Sequence, residues 1–247
     1  MIPTTIAFAV LGGFVPAIIW LTFWLKEDEH PEPRRLLVMA FLSGILAIPL
    51  AFVMSWLWEN EGLPRLIDIT TVNWSNYNLY RLIGFAFAEE YSKYFLVHAL
   101  IFWRRDYDEP VDAMIYLIST ALGFAAVENV LYLIDPLINA APHFEASIVE
   151  ISVLRFIGAT PLHALASGVL GYFIASSFFK TYMRKEIALV FGLVAATLLH
   201  TVFNLLILIA SRPEAGAYAV EGGLLILSAV GIYILFAFEK VKHRIIS

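Results

Sequence analysis

The chain has 247 residues and a formal net charge of -5, from 16 Lys and Arg against 21 Asp and Glu. It is 60% hydrophobic and only 15% charged, where soluble domains run about 45–50% and about 25%, and its mean hydropathy is +0.79. That is the composition of an integral membrane protein. It excludes a soluble enzyme, a disordered tail and a nucleic-acid binder, which would need a basic face. With no cysteine in the chain, it also excludes disulfides, thiolate metal sites and a Cys nucleophile.

Seven stretches supply the roughly 20 mostly apolar residues a spanning helix requires. They are about 5–25, 36–58, 79–103, 111–134, 149–178, 187–210 and 216–238. The first lacks a basic leader and its apolar core is too long for a signal peptide, so it reads as a span. Pro161 is expected to kink or split the long fifth stretch. Eleven Lys and Arg fall in segments 26–35, 104–110, 179–186 and the C-terminal tail, and only Arg65 and Arg212 on the other side. The positive-inside bias then predicts an outside N-terminus and a cytoplasmic C-terminus. Trp20, Trp24, Trp56, Trp58 and Trp103 lie near span ends, as an interfacial belt should. The expected fold is all-α: a polytopic transmembrane helix bundle of about seven spans, multi-pass in the cell membrane, forming one integral membrane domain over 1–247. The outer loop, about 59–78, reads as a solvated connector rather than an ordered cap.

Charged groups inside such spans cost at least about 2.5–3.5 kcal/mol each and mark function. Span three carries Glu89, Glu90 and Lys93 near its middle. Both Glu89–Lys93 (i,i+4) and Glu90–Lys93 (i,i+3) are pairing distances on a helix. One lysine can neutralise one glutamate, which leaves the other free to hold or release a proton. Span four carries Glu128 and Asn129 after a run of small residues that allows close helix approach. Span five carries Arg155, which could snorkel or pair with Glu128 or Glu150, and His163. Span six carries His200 and Asn204 at i,i+4, on one face. At ~1.5 Å per residue, these groups fall in one slab in the outer half of the bilayer, whereas snorkelling groups would scatter to both faces. A carboxylate and a histidine can hold and deprotonate a water, and a His/Asn pair can stabilise an oxyanion. Glu and His also suit zinc, but no HExxH motif is present.

These residues resemble the PrsW family of intramembrane proteases, within a wider group that includes the CAAX proteases. EExxK matches Glu89, Glu90 and Lys93; FxxxEN matches Phe124, Glu128 and Asn129. A histidine with a downstream glycine matches His163 with Gly168 or Gly171, HxxxN matches His200 and Asn204, and the DEPVD loop at 108–112 is also similar. The resemblance covers about 80–205, so the protease core is placed at about 79–210, with spans 1–2 and 7 peripheral. It implies a glutamate-dependent endopeptidase needing no cofactor, with zinc as the weaker alternative. It makes Glu89 the base, supported by Glu90 and Lys93, with His200 and Asn204 at the oxyanion. CAAX-type enzymes have a His where Glu128 stands, so either Glu128 or His163 orients the water. The implied substrate is a membrane-anchored protein such as an anti-sigma factor, cut near the extracytoplasmic side. The rival classes are a non-catalytic scaffold, which would use the polar cluster as glue, and a proton-coupled transporter, which would show repeated half-structures.

Overall fold

The computed structural model describes residues 2–66, 74–138, 144–210 and 215–242. Among them the only regular elements are helices, joined by short turns: α1 (Ile2–Trp24), α2 (Arg34–Leu57), α3 (Leu63–Leu66), α4 (Trp74–Leu100), α5 (Pro110–Ile138), α6 (Phe144–Leu154), α7 (Thr160–Ser176), α8 (Tyr182–Ala210) and α9 (Gly216–Lys242). Six spans are long and apolar enough to cross a membrane, with α6 and α7 together forming one of them. The seventh is α4. Its 27 residues reach about 40 Å, but Arg81, Glu89, Glu90 and Lys93 dilute its hydropathy. The chain is therefore the expected all-α multi-pass bundle. Its outer surface is bare hydrocarbon: Leu46, Phe52, Leu225 and Phe236 are all more than half exposed, which only lipid tolerates at this density. The expected connector at 59–78 contains a π turn over Trp58–Gly62 and the short α3; residues 67–73 of it lie outside the described residues.

Helix α5 is the axle of the bundle. Every residue from 110 to 126 is buried, which is why this stretch is apolar on all sides rather than on one stripe. Its start is set by local chemistry. Pro110 sits at the first helical position, where a missing N–H costs nothing. Asp112 Oδ2 reaches back to accept the N–H groups of Asp108 and Glu109 at 3.0 and 2.9 Å, the returning half of a capping box. Beside it, Tyr116 donates to Glu32 in the α1–α2 linker. Burial lifts the Glu32 carboxyl to about 8.

Small residues let neighbours approach this axle to backbone contact. A Cβ on Gly44 of α2 would lie 1.8 Å from Thr120 O, and one on Gly123 of α5 would lie 1.9 Å from Phe41 O. A Cβ on Gly171 of α7 would lie 2.8 Å from Met114 Cα. Gly123→Ala should therefore wedge α2 off α5 and cost at least about 1–3 kcal/mol, read as a lowered melting temperature in detergent. Gly222→Ala is the control, since a Cβ there meets nothing within 4 Å.

The expected disturbance at Pro161 takes a specific form. Proline has no N–H to give Ile157, and the preceding turn widens into a π segment, Arg155–Ala159. Thr160 N–H consequently bonds Arg155 O instead of Phe156 O. The freed Phe156 carbonyl accepts from Trp20 Nε1 at 2.9 Å, tying α1 to the widened turn. Single-turn π segments of this kind recur at functional sites.

Candidate active site

Four helices bring seven of the eight predicted side chains together, six of them in one continuous hydrogen-bonded network with Glu89 against it. Lys93 and Glu90 of α4 are both fully buried, and Lys93 Nζ donates to Glu90 Oε1 at 2.8 Å. Of the two pairings the spacing allowed, the chain uses i,i+3. Lys93 Nζ also lies 2.9 Å from His163 Nδ1. An ammonium can only donate, so Nδ1 accepts and the His163 proton sits on Nε2. That nitrogen faces Glu128 Oε2 at 2.9 Å. Glu128 is held in turn by Arg155 from the π segment, and Arg155 also grips Asn129. Its guanidinium stacks on Tyr132, 4.1 Å from the ring centroid. Asn129 finally donates to Thr160 Oγ1 at 3.0 Å.

The other branch runs through Glu90. Its Oε1 accepts from His200 Nδ1 at 2.8 Å, and its Oε2 accepts from Ser167 at 3.0 Å. A carboxylate bound to Nδ1–H leaves the His200 Nε2 lone pair free. That nitrogen looks at Glu89 Oε2, 3.7 Å away. His163 Nδ1 is 3.9 Å from the same oxygen. Glu89 Oε2 is shut off from solvent and has no hydrogen-bond partner among the described residues. The sequence argument left one glutamate free, and this is Glu89. Three carboxyls (Glu89, Glu90, Glu128) thus stand beside two basic side chains, Lys93 and Arg155.

Two outcomes differ from the sequence reading. Asn204 stands one turn beyond His200 on α8, half-buried, and no described hydrogen bond joins it to the network. Three members of the network were not singled out as site residues: Arg155, open between snorkelling and pairing, Thr160 and Ser167. The only signal for Ser167 was its place one turn after His163, on the same face.

The network borders a cavity of about 670 Å³ between α2, α4, α5 and α6. Glu89 and Glu128 stand at one polar end, with Phe85, Phe124, Tyr132 and Ile48 among its walls. Phe52 and Trp56, which also line it, are 74% and 57% exposed, so the cavity opens on the lipid-facing surface.

The geometry can be set beside known proteins. The profile of one family, described as PrsW family intramembrane metalloprotease, matches residues 32–238. The chain belongs to the PrsW family. Protease PrsW of Oceanobacillus iheyensis is 26% identical over 198 residues, covering 79% of this chain and 81% of the relative. That of Geobacillus kaustophilus is 27% identical over 178 residues, 71% and 69% of the two chains, and that of Bacillus subtilis 26% over 203 residues, 81% and 83%. No solved structure matches the chain. As a PrsW protein the chain is a multi-pass membrane peptidase, and a polar network around one unpartnered carboxyl is the feature its activity must explain. Arg155 acts on that network only through Glu128 and Asn129. Arg155→Ala should lower kcat by about 10–100-fold, as loss of a supporting contact does elsewhere, and Arg155→Lys should recover part of it. Peptide turnover with KM and kcat resolved checks this.

Proposed function

We propose that the protein hydrolyses a peptide bond of a single-pass membrane protein with a water held between Glu89 and His200. The observation that carries this is the buried, unpartnered Glu89 Oε2 facing the free Nε2 of His200 at 3.7 Å. A water bridging the two atoms would lie about 2.8 Å from each. Glu89 takes a proton from this water as its oxygen bonds to the peptide carbonyl carbon, then passes the proton to the departing amine nitrogen. Glu90 fixes the ring and tautomer of His200, so His200 accepts from the water and orients it. Asn204 keeps an uncommitted amide one turn away, and it is the group left to donate to the developing oxyanion. Glu128, held by Arg155, fixes His163, and His163 with Glu90 holds Lys93. The substrate reaches the site sideways through the lipid-facing cavity. The site lies toward the C-terminal ends of α5 and α8, which the Lys/Arg bias places outside. An extracytoplasmic cut in a membrane-anchored protein such as an anti-sigma factor follows.

A second reading, with a divalent metal, is favoured by one feature. Glu89, His163 and His200 each offer one ligand atom, and the three atoms lie within 4.8 Å of one another. Both histidines are anchored on the far nitrogen by a carboxylate, Glu128 and Glu90, as metal-bound histidines almost always are. The donor chemistry fits zinc. A bound ion would supply Lewis-acid polarisation of the carbonyl and acidify a water. Against it, Lys93 caps the third donor, His163 Nδ1, at 2.9 Å. The test is cleavage of tagged single-pass membrane proteins by purified protein in lipid, with and without chelator, alongside His200→Ala. Chelator-resistant cleavage lost in the variant is the result expected. Cleavage abolished by chelation and restored by zinc, with stoichiometric metal in the protein, establishes the second reading.

A further inference from the structure

Three helical stripes face the cavity beside the network. On α4 they are Arg81, Phe85 and Glu89, spaced i, i+4, i+8; on α5, Phe124, Glu128 and Tyr132 repeat the same spacing. The stripe of α2 continues past its C-terminal end into the π turn, at Glu59. The cavity thus has two charged ends and an aromatic middle. At the far end Arg81 Nε pairs with Glu59 Oε1 at 2.7 Å, with the two side chains 41% and 33% exposed. Arg81 also lies over Phe85, 4.8 Å from the ring centroid. Both side chains are partly exposed to the cavity, so an incoming carboxylate can compete with Glu59 for the guanidinium. Arg81 is the one cation on the described cavity wall, and the carboxyls of Glu89 and Glu128 at the other end repel any acid placed there.

We propose that Arg81 is a specificity subsite that selects an acidic side chain on an otherwise apolar, extended substrate segment. Eight residues of α4 separate Arg81 from Glu89, about 12 Å of rise. An extended chain covers that distance in three or four residues. The acid therefore sits three or four residues from the scissile bond, with apolar side chains in the aromatic middle. The cavity supplies the matching volume, about 670 Å³, within the ordinary range for binding sites. This inference rests on the hydrolytic reading only for where the scissile bond lies.

The test uses binding, so that it does not depend on turnover. The probes are blocked, fluorescent Leu/Ala peptides of about 12 residues carrying a single Asp, Asn or Lys, titrated against the full chain in nanodiscs in a Glu89→Gln background. The Asp probe should bind about tenfold more tightly than the Asn probe, with Lys weakest. In Arg81→Gln the Asp/Asn ratio should fall to about one, and Arg81→Lys should restore part of it. Asp and Asn probes that bind alike, a preference that survives Arg81→Gln, or no saturable binding of any probe overturns the subsite. Wild-type cleavage of membrane substrates with no charge preference overturns it too, while leaving the peptidase reading intact. Charge-selective binding without any cleavage keeps the subsite and removes the peptidase reading.

Discussion

Glu89→Gln should reduce peptide turnover by at least about 10³-fold and leave the melting temperature unchanged or slightly higher. The two halves of that expectation come from one fact. Glu89 Oε2 is buried and has no hydrogen-bond partner among the described residues, so it adds little to the fold and its desolvation costs stability. Gln keeps the shape and removes the charge and the basicity. General-base catalysis is worth about 10²–10⁴-fold, and water positioning is lost with it. Glu90→Gln makes the contrast. Glu90 accepts from Lys93, His200 and Ser167, so neutralising it strips charge from three contacts and should lower stability as well as activity. Turnover of Glu89→Gln within tenfold of wild type would falsify the role of Glu89. A melting temperature that falls as far as that of Glu90→Gln would mean that Glu89 is a structural group, as the scaffold class requires.

Much of this site was legible because insertion into lipid filters polar residues so severely. Glu89, Glu90, Lys93, Glu128, His163 and His200 stood out against their apolar surroundings, and helix rise alone put them at one depth. The spacing could not say which glutamate Lys93 takes, since i,i+3 and i,i+4 are both within reach. That choice is made by other helices: His200 and Ser167 converge on Glu90 and leave Glu89 bare. Arg155 was undecidable for the same reason, because snorkelling and pairing leave one signature in sequence. What aims it inward is the π segment, a consequence of the missing N–H of Pro161, and sequence shows the proline but not the direction in which the widened turn points. The i,i+4 spacing of His200 and Asn204 was read correctly as one face, yet the local His–Asn bond it would permit is not made. His200 finds a better acceptor in a carboxylate from α4.

The largest effect on stability should come from Lys93→Met. Lys93 is fully buried between Glu90, His163 and the ring of Phe124, whose centroid lies 4.4 Å from Nζ. Removing one partner of a buried pair leaves the other charge uncompensated, at a cost of about 3–5 kcal/mol. For a chain of this size that lowers the melting temperature by about 10 °C. Adding Glu90→Gln to Lys93→Met should recover part of the loss, because the stranded carboxylate goes with it, and groups in direct contact typically couple by about 0.5–3 kcal/mol. If the double variant loses the sum of the two single losses, Lys93 and Glu90 are not a pair in solution. Lys93→Met also uncaps His163 Nδ1, the donor the ammonium occupies. Zinc that raises the melting temperature of Lys93→Met but not that of the wild-type chain marks the ammonium as the group that closes the site to metal, as the metal-free reading requires. Zinc that raises both, with the rise lost in His163→Ala, marks the metal reading. The two readings are thus separated without any substrate in hand.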